Sequence, residues 1–127
     1  MFGYRTLGFG SRANRGAVPD GDRAMWMGGH SGAAFTDVIQ YVAVSTLGNA
    51  TDFGNVGAIT NFNTNCVDNG ALDRGIICGG SNIIEFVTIS TPGDSVDFGD
   101  LSGVFLSHGT ASNQQGDRGL IAGGATS

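Results

Sequence analysis

The sequence predicts an all-β fold built from repeated antiparallel units, and three observations carry that expectation. The first is a repeat. IQYVAVSTLGNATDFG (39–54) returns as IEFVTISTPGDSVDFG (84–99), with half of the 16 positions identical and Gln40/Glu85, Tyr41/Phe86, Val44/Ile89 and Asn49/Asp94 exchanged like for like. The second is composition: 23 glycines, a single glutamate and no lysine among 127 residues leave too few good helix formers for a helical protein. The third lies inside the repeat, where Val, Ile, Thr, Tyr and Phe form short runs bounded by Gly, Asn, Asp and Pro.

Taken in chain order, Phe2-Gly3 carries the mark that closes each repeat, since Phe-Gly recurs at Phe53-Gly54 and Phe98-Gly99. DRAMWMGG (22–29), DRGIICGG (73–80) and DRGLIAGG (117–124) are three copies of one strand that ends in a double glycine. A unit then divides into strand a (GAITNFNTN, 57–65, or GVFLSHGTA, 103–111), strand b (the Asp-Arg to Gly-Gly segment), strand c (IQYVAVST or IEFVTIST) and a short strand d centred on Asp-Phe-Gly. Four short antiparallel strands in about 45 residues make the blade of a β-propeller. Burial of both blade faces against neighbours explains why strand c is apolar on both sides.

The whole chain, 1–127, reads as one repeat domain: a partial blade at 1–7, blade units at about 8–56 and about 57–102, and a partial blade at about 103–127. The first unit is longer because HSGAAFTDVIQY stands where the second has SNIIEF, an insertion expected to lie in a turn outside the blade framework. Two and a half to three four-stranded blades fall short of the roughly four to eight that close a propeller. Because lone blades expose strand edges and apolar faces, identical copies complete the ring, the edges dock onto another protein, or the blades belong to a longer chain; the first is expected, with Met1 to Leu7 of one copy beside the a–b pair of the next.

Strand b ending in Gly-Gly, the aromatic of strand c (Tyr41, Phe86) and the aromatic of strand d (Phe53, Phe98) resemble the kelch repeat, with Phe where kelch usually has Trp. DRGLIAGG and NIIEFVTISTPGDSVDFGDLSG are similar to the Gly-rich kelch-like repeats of structural proteins from tailed bacteriophages, notably marine ones. The resemblance implies a non-enzymatic virion component, made in the host cytoplasm, that decorates the capsid or belongs to the tail or fibre. Its partners would be other copies of itself and other virion proteins. The alternative is a carbohydrate- or receptor-binding propeller module of a phage adhesin that meets a cell-surface glycan.

Several function classes are disfavoured by the residues themselves. Eleven acidic against six basic side chains give a net charge of −5, which repels a nucleic-acid backbone. No apolar stretch approaches the roughly 20 residues of a spanning helix, so no membrane partner is expected. MFGYRTLGFG lacks the layout of a secretory signal. Asp-Phe-Gly matches the magnesium-binding triplet of protein kinases, but it recurs at the repeat period without the glycine loop or catalytic loop of that fold. The glycine pairs end strands rather than opening helices over a phosphate. Asp20-Gly21-Asp22 lacks the further oxygen ligands of a calcium loop.

His30 and His108 have no His or Cys at metal-ligand spacing, and no nucleophile constellation surrounds the serines, so no catalytic residue, cofactor or metal is assigned. Asn49-Ala50-Thr51 is a formal glycosylation sequon that reads better as turn chemistry, because Asp94-Ser95-Val96 is its counterpart. Cys66 and Cys78 lie on two arms of an expected hairpin. A small apolar position is favoured over a disulfide, since Met27 and Ala122 align with Cys78.

The repeated positions left over are structural candidates. Phe2, Phe53 and Phe98 are expected at equivalent sites, the last two buried between blades. Arg23, Arg74 and Arg118 are expected to make a repeated blade-to-blade hydrogen bond or ion pair. Trp26 is not predicted by the repeat, whose counterparts there are Ile77 and Ile121. Core packing is its first reading; the second places it with His30 and Phe35 on a contact surface for a sugar or a partner.

Overall fold

The computed structural model describes residues 22–30, 32–58, 65–68, 73–113 and 118–126. Among them there is no helix, and every strand pairing is antiparallel. The first sheet has the order β1 (Arg23–His30), β2 (Phe35–Ala43), β3 (Thr51–Asn55). The second has the order β4 (Asn65–Asp68), β5 (Arg74–Cys78), β6 (Ile83–Thr88), β7 (Val96–Asp100). Two small sheets follow: β8 (Phe105–Leu106) pairs with β11 (Ala125–Thr126), and β9 (Gly109–Ser112) pairs with β10 (Gly119–Ala122).

Strands b, c and d of the repeat are thus β1–β2–β3 in the first sheet and β5–β6–β7 in the second. Both sheets carry the same irregularity: the ladder slips between Ile39 and Gln40 in one and between Ile84 and Glu85 in the other, so that Phe53 and Phe98 are the extra residues of equivalent bulges. Strand a is described only in part, because 59–64 of its first copy lie outside the described residues. In the second sheet it is Asn65–Asp68, and the 103–111 stretch is split into β8 and β9 by Ser107, whose φ of 56° turns the chain.

The inserted residues do not lie outside the framework. His30 pairs with Phe35 and Gly29 with Thr36 past a slip after Met27, so the extra residues lengthen the β1–β2 ladder beyond a strand c that was expected to start at Ile39. Strand-forming Phe35, Thr36 and Val38 and the bulge absorb the added length. The expected roles of Phe2 and of Met1 to Leu7 lie outside the described residues.

One apolar core joins the two larger sheets. Met27, Ile39, Phe53 and Val56 of the first sheet cluster with Ile77 and Val87 of the second, and Met25 and Tyr41 pack against them. Alternation along the strands sets this up, because Met25, Met27, Ile39 and Tyr41 share one face of the first sheet while Ile77 and Val87 share one face of the second. Gly75 leaves room for the end of the Met27 side chain, which stands 3.0 Å from where a Cβ would be.

The aspartates of the first two Asp-Arg pairs each close their own sheet. Asp22 accepts from Ser45 N at 2.7 Å and from the Ser45 hydroxyl, and Asp73 accepts from Ser90 N at 2.8 Å and from the Ser90 hydroxyl. These bonds, that of the Ser45 side chain foremost, hold the Asp22 carboxyl below the usual carboxylate range. A folded-state pKa below the unfolded one adds stability in full above the unfolded value and loses it as pH falls through the folded value. Asp22→Ala should therefore be less stable than wild type at neutral pH, and the gap should close in strong acid. Thermal unfolding at the two pH values checks this, and a gap independent of pH would contradict it.

Candidate functional site

Among the described residues, no three His, Cys, Asp or Glu side chains are placed to hold a metal ion, and no helix is long and apolar enough to cross a membrane. The chemistry on display is instead that of a seam between sheets. Polar contacts among the described residues cross it. Asp94 accepts from Asn55 N at 2.8 Å, Ser95 N donates to Asn55 O at 2.9 Å, and the Ser95 hydroxyl accepts from Gly57 N at 2.8 Å. Glu85 Oε1 accepts from Ala58 N at 2.9 Å, and Arg23 donates through Nη1 to the carbonyl of Ile89.

The strands place these groups. Glu85 sits beside the ladder slip of β6 and is only 3% exposed, so a carboxylate would be costly there without a donor, which the end of the first sheet supplies. Its second oxygen, Oε2, is buried with no hydrogen-bond partner among the described residues. Asp94 and Ser95 lie in the turn between strands c and d, where Gly93 brings the main chain against Gly54 so closely that a Cβ on Gly54 would overlap it. Sequence reasoning passed over Glu85, Asp94 and Ser95 because they look like ordinary turn and strand polar residues. The signal available was the oddity of a lone glutamate in an apolar strand.

Arg23 lies 4.5 Å over the Tyr41 ring, and Tyr41 meets Phe53 edge to face at 6.0 Å. Arg74, Phe86 and Phe98 repeat the arrangement at 4.7 and 6.1 Å. Burial separates the two sets. Phe53 is 3% exposed, whereas Phe98 is 54% exposed, which corrects the expectation that both are buried between blades. The reason is local: the second sheet covers Phe53, while the short β9–β10 hairpin beyond the second sheet lies along β4. There Gly119 lies against Val67, Asn65 Nδ2 donates to His108 O at 2.7 Å, and the Thr110 hydroxyl donates to Cys66 O at 2.9 Å. Arg118 is exposed, and its carbonyl accepts from Asn113 N to close β9–β10.

Trp26 is 57% exposed, so core packing is not its place. It pairs in register with Gln40 on the side of the first sheet away from the seam, since it alternates with Met25 and Met27. His30 and Phe35 are exposed at the far end of the β1–β2 ladder, their rings edge to face at 5.4 Å. The structure therefore brings His30 and Phe35 together and places Trp26 four residues back along β1.

Cys66 and Cys78 are free. Asn65 pairs with Cys78 and Cys66 with Ile77, so the two side chains leave opposite faces of the β4–β5 ladder and cannot be bridged. Although the residue is exposed, the Cys66 thiol is pushed up to about 11 by loss of water around the sulfur and then by Cys78. Burial also raises the Cys78 thiol.

The fold does bring one histidine to a cysteine, which sequence spacing did not reveal: His108 Nε2 is 3.4 Å from Cys78 Sγ, and His108 is 5% exposed. The two side chains form a buried polar contact whose donor and acceptor are set by the imidazole tautomer. Comparison with known families, curated proteins and solved structures gives no match to the chain.

Proposed function

We propose that the chain is a non-enzymatic structural protein of a virion, built from propeller-type blades and acting through protein-protein contacts with copies of itself and with other virion proteins. The observation that carries this reading is the seam. Two sheets of repeated sequence stack through one shared core and a set of main-chain hydrogen bonds, the way a scaffold is extended unit by unit. The kelch-like wording of the repeats supports placing such a scaffold on a tailed-phage particle, as a capsid decoration or in the tail or fibre. Quantitative mass spectrometry of purified particles tests it: the chain should be present in fixed stoichiometry with the major capsid or tail protein. Its absence from washed particles would overturn the reading.

A second reading, a carbohydrate- or receptor-binding module, is favoured by the exposed Trp26 and by the exposed His30–Phe35 ring pair, since flat aromatic faces suit sugar stacking. Glycan arrays probed with wild type and Trp26→Ala decide between them. Binding that the substitution abolishes supports the adhesin reading.

A further inference from the structure

The outer face of the second sheet repeats a docking surface whose occupant is visible one sheet earlier. Around Phe53 that surface is filled by the second sheet; around Phe98 it is open, with Val96 beside it 57% exposed. Gly54 touches the main chain of Gly93 and Asp94, whereas its counterpart Gly99 has nothing within 4 Å of where a Cβ would stand.

The covering side is duplicated as well. Val87, Glu85 and the Gly93–Ser95 turn meet the first sheet, and their repeat counterparts are Val42, Gln40 and residues 48–50. Gln40 and 48–50 are exposed. Both polar exchanges keep what the seam uses: Gln40 retains a side-chain oxygen where Glu85 accepts, and Asn49 retains one where Asp94 accepts. Ala50, in place of Ser95, gives up one bond.

We propose that a second copy of this chain docks its first sheet on the outer face of the second sheet, head to tail, continuing the internal stack. Gln40 and Asn49 of the incoming copy accept from the main-chain N–H groups of Gly103 and Asp100, the counterparts of Ala58 and Asn55, and Gly48 seats against Gly99. The contact is heterologous, because each copy offers a different face. The β9–β10 hairpin stands beside β4 on this side, tied there through Asn65 and Thr110, so the incoming copy meets the β6–β7 half of the face, where Phe98 and Val96 are exposed.

The proposal rests on the reading of the chain as a scaffold that works through protein contacts, which particle content tests separately. Here the test is the mass in solution of the full chain, of Phe98→Asp and of Gln40→Arg, by analytical ultracentrifugation, with circular dichroism confirming that each variant keeps its β spectrum. Both substitutions sit at exposed positions, so the single copy should keep its fold. Wild type is expected to assemble, and each variant alone to lose assembly.

Mixing the two variants is expected to give one-to-one pairs and nothing larger, because the mixture contains a single intact combination of faces. A wild type that stays a single copy at high micromolar concentration overturns the proposal. So does either variant assembling like wild type, or a mixture that fails to pair or grows past pairs. If the chain is nevertheless found on particles, the scaffold reading survives and only this contact falls.

Discussion

Phe53→Ala should destabilise the chain by about 3–5 kcal/mol, the cost of emptying a buried aromatic site, while Phe98→Ala should cost about 1 kcal/mol, the scale of one edge-to-face contact. The two residues hold the same place in the repeat, the same ladder slip and the same aromatic neighbour. Only their cover differs: Phe53 packs with Ile39, Val56, Ile77 and Val87, and Phe98 faces outward. Urea unfolding of dilute single copies measures both. Equal losses at the two positions would mean that Phe53 is not held by the seam between sheets.

Gly54→Ala should be the more damaging of a second matched pair, exceeding Gly99→Ala by about 1–3 kcal/mol, the usual range for forcing atoms into a packed site. Both glycines hold a positive φ, 151° and 143°, so a side chain strains the backbone at each to a similar degree. At Gly54 the added methyl also runs into the main chain of Gly93 and Asp94, which cannot give way as a flexible side chain could; at Gly99 it enters open space. The difference between the variants isolates the tightness of the seam. If Gly99→Ala proved the worse, the close approach at Gly54 would not be what binds the sheets.

Much of this was legible in the sequence because repetition exposes architecture. IQYVA and IEFVT lie in central strands with matching pairings, the VST and IST that follow them turn the chain, and the Asp-Phe-Gly triplets form the short strands beside them. What repetition cannot show is which copy has a neighbour. Phe53 and Phe98 read alike and are buried unlike, since burial belongs to the pairing of units and not to either unit.

Other misreadings have local causes. HSGAAFTD carries the glycine and serine of a turn, yet Phe35 and Thr36 continue the ladder, because cross-strand pairing outweighs a loop-like composition. Cys78 and His108 are 30 residues apart and meet only because β9 folds back along β4. Glu85 was hidden by its likeness to Gln40, although the two have opposite surroundings.

The seam has an asymmetry in what each side must specify. On the second sheet the polar contacts come mostly from chosen side chains, Glu85, Asp94 and Ser95; on the first they fall mostly on the peptide groups of Asn55, Gly57 and Ala58, which most amino acids would present equally well. A new unit can therefore be appended by duplication and recognise its predecessor at once, without compensating changes in the older copy. The polar part of the contact is then set mostly by the newcomer's side chains, while the receiving end must keep its backbone path, the apolar cover of Phe53 and the bare Gly54.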